Sequence, residues 1–326
     1  MTTNPTTIKP LEILYKQADG VGIYMDVYLS PSSTPENPAP YMFWFHSGGL
    51  LMGTRKHVAP HHLRAPSEHN VTFISADYRL APQFRMPAIL SDCVDAIKFL
   101  QSAEFKKTTE GRVDTSRIIL TGSSAGGWFS LLIGCGIGFE EAGLGLGRVP
   151  VVKGLIPIYP MTDLEDPFFK TKHRPVAYIR RIIGENRIVG DEEVQPFIDP
   201  DDLGSRASFA EVESARTVLY HYAVQEALVE ELLLGDTGLS GSVFSIPRYL
   251  KGLPSPGSIP SIYLIHGDAD GPVPVTQSRE VAKGFKDLKH KDFTYEEVPG
   301  VDHLYDQEPE VGMEEMYKFV KRVFEM

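Results

Sequence analysis

Short apolar runs recur along the first half of the chain, separated by polar, proline-rich or glycine-rich residues. Residues 11–16 and 21–29 favour a hairpin about Asp19-Gly20, since strand-like positions flank a turn dipeptide. Further strand-like runs are 41–45, 71–76 and 118–120. Between the last two of these, residues 87–101 carry apolar side chains at helical spacing. The alternation of strand and helix predicts an α/β fold with a mostly parallel sheet.

The second half of the chain departs from this alternation. Strand-like runs at 154–160, 262–265 and 293–298 continue the sheet. Residues 162–258 instead contain two or three helical patterns, notably 207–234, and many aromatic side chains. We interpret 162–258 as a helical cap inserted into a single domain that spans 1–326. Most of its aromatic side chains are expected to form the core of the cap, and a minority to line a pocket.

Residues 122–126, GSSAG, join a strand-like run to a helical pattern. In a sharp strand-to-helix turn of this kind the central serine is exposed, and glycine two positions to either side lets the backbones pass. Ser124 fits this frame, because centring it on Ser123 would place Thr121 and Ala125 where the glycines belong. Ser124 is therefore the predicted nucleophile.

Three further loops follow predicted strands. Residues 46–49, HSGG, end an apolar run and could turn backbone N–H groups toward a developing oxyanion. Residues 266–270 end a later run and offer two carboxylates, Asp268 and Asp270. The last strand-like run leads to His303, the candidate base. The chain order serine, acid, histidine is that of the α/β-hydrolases and differs from the orders in the chymotrypsin and subtilisin arrangements.

A second motif extends this likeness. Residues 77–82, DYRLAP, are similar to a motif that follows the fourth strand in hormone-sensitive-lipase-like esterases, and HSGG resembles their His-Gly-Gly-Gly loop. The chain thus resembles that branch of the α/β-hydrolase esterases from its third strand to its last helix. The resemblance implies an α/β-hydrolase fold, in which helices flank a mostly parallel eight-stranded sheet and a helical cap is inserted.

The resemblance also implies where the oxyanion would bind. In the family the donors are the later glycines of the loop and the residue after the nucleophile, which correspond here to the amides of Gly48, Gly49 and Ala125. Ser47 stands where the family has its first glycine. We expect Ser47 to alter the local geometry or to add a hydroxyl group without abolishing the oxyanion hole.

Asp270 is the predicted triad acid, on two grounds. The family places its acid three residues after the glycine of this loop, and a carboxylate further along the loop can lean across to His303 from the neighbouring strand. Asp268 is expected to be a turn residue that accepts local backbone N–H bonds. The implied activity is cleavage of a carboxylic ester of moderate size by Ser124, His303 and Asp270 through an acyl-enzyme.

Two other functions fit the same residues. A biosynthetic enzyme could use the triad to release or transfer an acyl group from a thioester, or to form or open a lactone. A catalytically silent ligand receptor on this scaffold is the second alternative, as in some plant hormone receptors. Such receptors lose the triad histidine, which this chain keeps as His303. A fluorophosphonate separates the two classes, because a silent receptor should not react with it.

Composition narrows the partners. The 326 residues carry a formal net charge of -11, which disfavours binding to nucleic acid and to anionic membranes. The sequence shows no apolar leader and no run long enough to span a bilayer, and its two cysteines, Cys93 and Cys135, are too few for a secreted disulfide scaffold. We therefore expect a cytoplasmic protein with a small-molecule ester or acyl substrate. The oligomeric state stays open, with a homodimer among the options.

Four histidines, His57, His61, His62 and His69, lie close together in the sequence. No cysteine or paired carboxylate completes a metal shell, and Pro60 is expected to interrupt the helix that would align His57 with His61. We therefore expect neither a metal nor another cofactor.

Three other polar residues at predicted strand ends are interpreted structurally. Asp77 and Arg79 are expected to form an ion pair with each other. His266 precedes both candidate acids in the chain, which violates the triad order, and is expected to be a packed histidine.

Overall fold

The computed structural model of the protein describes residues 8–145, 151–211 and 213–326. Eight strands form one sheet within these ranges. They are β1 (Leu11–Ala18), β2 (Val21–Tyr28), β3 (Ala39–Phe45), β4 (Thr72–Ala76), β5 (Val113–Ser123), β6 (Gly154–Ile158), β7 (Ser261–Gly267) and β8 (Phe293–Val298). Their order across the sheet is β1-β2-β4-β3-β5-β6-β7-β8.

The pairing of neighbouring strands follows the predicted class. The pairs β1–β2 and β2–β4 are antiparallel, and the pairs from β4 to β8 are parallel. The mostly parallel eight-stranded sheet predicted from the sequence is confirmed. Because all the parallel strands run in one direction, the loops that follow β3, β5, β7 and β8 emerge at the same edge of the sheet.

The central strands are buried along their whole length. Every residue of β3 and of β4 is buried, as expected for parallel strands covered on both faces. Successive side chains of β3 alternate between the faces, so that Phe43 and Phe45 belong to one apolar cluster whereas Met42 and Trp44 belong to another. These two clusters form the core on the two faces and fix the edge from which the loops emerge.

Helices cover the sheet and fill the long connection between β6 and β7. Those within the described ranges are α1 (Pro60–Glu68), α2 (Met86–Phe99), α3 (Ala103–Thr108), α4 (Ala125–Cys135), α5 (Pro167–Lys170), α6 (Ile179–Ile183), α7 (Asp191–Ile198), α8 (Val218–Glu226), α9 (Val229–Leu234), α10 (Ile246–Gly252), α11 (Thr276–Asp287) and α12 (Glu314–Phe324). Helices α1, α2, α4, α11 and α12 contact the sheet. Among the described helices, none has the length and apolarity that crossing a bilayer demands.

The connection at 162–258, which we call the insertion, contains the short helices α5 to α10. The helical pattern predicted at 207–234 is present from residue 215 onward, whereas residues 207–210 are not helical and residue 212 lies outside the described residues. The Ala207 carbonyl accepts the Leu80 N–H at 2.9 Å, and Ala210 forms a β-bridge with Gly53. These bonds to the loops after β3 and β4 replace helical ones, so this part of the insertion is extended against the core.

Candidate active site

Ser124 lies in the turn between β5 and α4. Its backbone has φ 58° and ψ -118°, a conformation that costs on the order of 1–3 kcal/mol and persists only where its surroundings enforce it. A Cβ on Gly122 would lie 2.3 Å from the carbonyl carbon of Gly126, and one on Gly126 would lie 1.9 Å from the Phe45 carbonyl oxygen. Both positions therefore require glycine, as the predicted turn does.

Asp270 and His303 come from two loops at the same edge of the sheet, residues 268–273 after β7 (the acid loop) and 299–304 after β8 (the base loop). His303 Nδ1 lies 2.6 Å from Asp270 Oδ2, and Asp270 Oδ1 accepts the Val273 N–H at 2.8 Å. The carboxylate is completely buried. Because His303 Nδ1 is engaged with Asp270, Nε2 is the nitrogen that remains for a nucleophile.

His266 also contacts the acid. Its Nε2 lies 3.2 Å from Asp270 Oδ2 and 3.0 Å from the Val273 carbonyl oxygen, and its Nδ1 lies 2.7 Å from Ser278 Oγ. Burial acts to raise the pKa of Asp270, but the charge of His303 and the hydrogen bonds from both histidines outweigh it and lower that pKa to about 2. Asp270 is therefore ionised at neutral pH.

The support from His266 goes beyond its predicted role as a packed histidine. The signal in the sequence is its position four residues before Asp270, at the end of the strand that delivers the acid loop. Asp268, in contrast, is exposed and accepts the Gly300 N–H at 2.6 Å. It links the acid loop to the base loop as a turn residue would.

Ser124 and His303 line one cavity of about 120 Å³. The other residues that line it are Ser47, Gly48, Gly49, Met52, Thr217, Tyr220, His221, Pro272 and Leu304. Ala125 follows Ser124 as the first residue of α4, where the helix dipole makes backbone N–H groups attractive to negative charge. The structure thus brings the predicted nucleophile, base and glycine-rich loop to one space.

Both glycines of the loop have a left-handed backbone and no room for a side chain. Gly48 has φ 111° and Gly49 has φ 63°. A Cβ on Gly48 would lie 2.2 Å from the Met52 carbonyl oxygen, and one on Gly49 would lie 2.3 Å from Cδ2 of Tyr220 in α8. The insertion therefore packs directly on this loop through Tyr220.

His46 supports the same loop from behind. Its ring stacks on that of Tyr78 with 4.0 Å between the centroids, and the Tyr78 hydroxyl donates to the His46 carbonyl oxygen at 2.8 Å. Burial lowers the pKa of His46 to about 4, so the ring is neutral at pH 7 and its Nδ1–H donates to the Ser47 carbonyl oxygen at 2.7 Å. The contacts of His46 are those of a structural residue.

Asp77 and Arg79 do not pair with each other, so that prediction is wrong. Asp77 accepts the Arg55 backbone N–H at 2.7 Å and also binds the Arg55 guanidinium. Arg79 Nε lies 2.7 Å from Asp92 Oδ2 in α2. Each charge thus has a buried partner distant in sequence, which local spacing does not reveal. The pair Asp77–Arg55 fixes the chain that leaves the glycine-rich loop.

The clustered histidines have polar and aromatic partners. Pro60 is the first residue of α1, so it starts a helix and does not interrupt one, but His57 lies outside that helix and is not aligned with His61, as predicted. His61 Nδ1 lies 3.1 Å from the Tyr317 hydroxyl, and His62 stacks on Phe73 with 4.7 Å between the ring centroids. Within the described ranges, no three His, Cys, Asp or Glu side chains converge as metal ligands would.

One buried group that packs against His303 was not predicted from the sequence. The ring of Tyr159 lies 4.6 Å from that of His303, centroid to centroid, and the Tyr159 hydroxyl donates to the Asp306 carboxylate. The second oxygen of Asp306 lies 3.4 Å from His61 Nε2. Asp306 is completely buried. The hint in the sequence is an acidic residue three positions after His303.

Comparison with known proteins agrees with this architecture. A family model described as alpha/beta hydrolase fold matches residues 42–191. A crystal structure of an alpha/beta hydrolase superfamily protein from Enterococcus faecalis superposes with a TM-score of 0.64 at 20% identity, covering 94% of this chain and 96% of that one. The predicted resemblance and fold class are confirmed.

Two curated relatives are similar over different lengths. The non-reducing polyketide synthase ascC of Acremonium egyptiacum is 26% identical over 311 residues, which is 90% of this chain and 14% of the synthase. Probable carboxylesterase 6 of Arabidopsis thaliana is 30% identical over 127 residues, which is 36% of this chain and 38% of that protein. The match to the synthase thus covers most of this chain but only a small part of the synthase.

Proposed function

Since this chain has the α/β-hydrolase fold, we propose that it is a serine hydrolase that cleaves a carboxylic ester through an acyl-enzyme, with Ser124, His303 and Asp270 as its triad. The observation that carries the proposal is the 2.6 Å contact between His303 Nδ1 and the buried Asp270 carboxylate, beside a cavity that His303 shares with Ser124. The similarity to a probable carboxylesterase supports the same class.

The proposed reaction follows from these contacts. Asp270 holds the His303 ring so that Nε2 accepts the proton of Ser124 as its oxygen attacks the ester carbonyl. The oxyanion that forms is bound by the amides of the glycine-rich loop and of the first turn of α4, namely Gly48, Gly49 and Ala125. His303 then returns the proton to the leaving alcohol, and a water molecule activated in the same way releases the acid.

The cavity favours a small group on one side of the ester. Its volume of about 120 Å³ is below the roughly 300–1,000 Å³ of typical ligand pockets. Met52, Pro272 and Leu304 contribute apolar walls, and Tyr220 of α8 closes the space against Gly49. We therefore propose that the insertion acts as a cap over the site and that one substituent of the ester is short.

Acyl transfer in biosynthesis is the second candidate function. The observation that favours it is the similarity of 90% of this chain to a polyketide synthase. The same triad would attack a thioester in place of an ester, with a thiol as the leaving group. Turnover of an ester and a thioester that share one short acyl group decides between the two, since a release enzyme should prefer the thioester after correction for its intrinsic reactivity.

Labelling with a fluorophosphonate tests the proposal. We expect the wild-type protein to gain the mass of a single phosphonyl group, located on Ser124 by peptide mapping. A Ser124→Ala variant with the same melting temperature should stay unlabelled, whereas Ser123→Ala, next to it in the chain, should react. A folded wild-type protein that does not react would favour a silent receptor, and a Ser124→Ala variant that reacts normally would place the nucleophile elsewhere.

A further inference from the structure

The insertion contacts the loops of the triad through a charged side chain. Arg181, in α6, places Nη1 2.5 Å from Oδ2 of Asp302, the residue that precedes His303. The other oxygen of that carboxylate accepts two backbone N–H groups, that of Gly271 at 2.9 Å and that of His303 at 2.8 Å. The carboxylate of Asp302 therefore joins the acid loop, the base loop and the insertion.

The same part of the insertion packs closely on the acid loop. A Cβ on Gly271 would lie 2.2 Å from Arg181 Nη2 and 2.8 Å from the Cβ of Tyr178, just before α6. Gly271 directly follows Asp270, and Asp302 directly precedes His303. A movement of α6 is thus passed to the neighbours of both residues in the 2.6 Å Asp270–His303 contact.

We propose that Asp302 is a positioning residue for the Asp270–His303 pair, and that Arg181 keeps Asp302 in place while the insertion is docked on the acid loop. The inference rests on the proposed function, because it assigns the pair a part in catalysis. Neither Arg181 nor Asp302 lines the cavity beside Ser124, so their effect on the reaction passes through the backbone of the two loops.

The exposure of the ion pair decides which quantity should respond. The Arg181 and Asp302 side chains are 49% and 32% exposed, and ion pairs of this kind contribute little to the free energy of unfolding. A catalytic group misplaced by 1 Å, in contrast, can lose roughly 10²-fold in rate. Loss of the contact should therefore lower kcat while the melting temperature and KM change little.

The test compares three variants with a matched control. Arg181→Met keeps the length of the side chain and removes its charge, Asp302→Asn keeps an oxygen acceptor for the backbone, and the third variant combines both. Arg180→Met is the control, because Arg180 is the exposed neighbour in the same helix. We expect kcat to fall roughly tenfold in each single variant, within the range allowed for a displaced catalytic group, and the control to match the wild type.

The double variant and the salt dependence separate positioning from a general structural role. If Arg181 acts through Asp302, the double variant loses no more than the more damaged single variant. Salt near 1 M, at which the screening length is about 3 Å, should lower the kcat of the wild type but not that of Arg181→Met. Additive losses, a change confined to KM, or equal behaviour of Arg181→Met and Arg180→Met would each overturn the inference.

A spectroscopic readout keeps the test independent of turnover. The proton shared by His303 Nδ1 and Asp270 should give a low-field proton resonance, and we expect Arg181→Met to broaden it through faster exchange with solvent, whereas Arg180→Met leaves it sharp. An unchanged resonance in Arg181→Met overturns the inference whatever the substrate is. Absence of any ester or thioester turnover in the wild type, with this broadening present, would instead reject only the proposed function.

Discussion

The sheet and the insertion contribute to the candidate site in different ways. The groups proposed for the chemistry sit on loops at the strand ends and are fixed by buried contacts, as in the Asp270 carboxylate with its two histidines. The insertion supplies short helices that close the cavity, through Tyr220, and touch the loops, through Arg181. We call the loops at the strand ends that contain Ser124, Asp270 and His303 the sheet side. We infer that substitutions on the sheet side abolish the reaction, whereas substitutions in the insertion adjust its rate and its selectivity.

The largest effect is expected at the nucleophile. Ser124→Ala removes the attacking oxygen and little volume, so it should lower kcat/KM by about 10⁴-fold or more, as for members of a triad that act as a unit. The measurement is hydrolysis of an activated acetate ester, with a thermal melt as the folding control. Hydrolysis by this variant at a near-normal rate would contradict the assignment of Ser124 as the nucleophile.

The two carboxylates of the acid loop give the next largest contrast. Asp270→Asn should keep the shape of the loop but favour the wrong tautomer of His303, and we expect a loss of about 10⁴-fold, as for the same exchange in a serine protease. Asp268→Asn is the matched control on the same loop and should cost far less, because Asp268 is exposed and accepts the Gly300 N–H. A crippled Asp268→Asn beside an active Asp270→Asn would transfer the proposed role to Asp268.

Low pH should decrease the free energy of unfolding, because it protonates Asp270. Its partners hold the folded-state pKa at about 2, against an ordinary value of 3.8. A lowered pKa means that the stabilisation is present above the ordinary value and is lost as the pH falls from about 4 toward 2, by roughly 2 kcal/mol in the free energy of unfolding. In urea titrations between pH 6 and 3, the free energy of unfolding of Asp270→Asn should therefore depend less on pH than that of the wild type.

Ser124→Ala is the control for that experiment, because it changes the site without removing a carboxylate. Its free energy of unfolding should follow the wild-type dependence on pH. Parallel curves for the wild type and Asp270→Asn would show that the buried carboxylate is not the group that loses stability in acid.

The sequence predicts the sheet side far better than the insertion, for physical reasons. The turn at Ser124 requires glycine at 122 and 126, which the GSSAG pattern displays directly, although the atom that excludes a Cβ at Gly126 belongs to Phe45 in β3. The acid loop is marked by the buried apolar strand β7 that precedes it, and the base loop by the strand-like run of β8. The partners of Asp77 and Arg79, and the contact of Tyr159 with His303, join residues distant in the chain, so local spacing carries no sign of them.

The insertion was predicted only in outline because its helices are short. Apolar spacing over 207–234 is compatible with one long helix, but Ala227 adopts a left-handed conformation with φ 59° and ends α8. The start of the same stretch binds the core loops through its backbone. Helices of this length owe their stability mostly to tertiary packing. The local periodicity of apolar residues does not show which residues they pack against.

The smallest predicted effect concerns Tyr220 and tests whether the insertion controls the selectivity between esters. Its ring closes the cavity against Gly49, and its hydroxyl donates to the Pro272 carbonyl oxygen at 3.0 Å. Tyr220→Ala should enlarge the cavity and raise the ratio of kcat/KM for a longer acyl ester to that for the acetate by roughly tenfold, the low end of what one methylene group contributes in an apolar pocket.

Tyr222 offers a matched control, two residues along α8. Its hydroxyl donates to Asp191 Oδ1 at 2.8 Å and its side chain does not line the cavity, so Tyr222→Ala removes a similar volume from the same helix without opening the site. We expect both variants to lose stability in a thermal melt, but only Tyr220→Ala to change the ratio between the two esters. Equal ratios in the two variants, with Ser124 still reactive toward a fluorophosphonate, would mean that the walls of the cavity move with the substrate. Selectivity would then depend on the mobility of the insertion as a whole, and Tyr220 would lose its place as the residue that sets it.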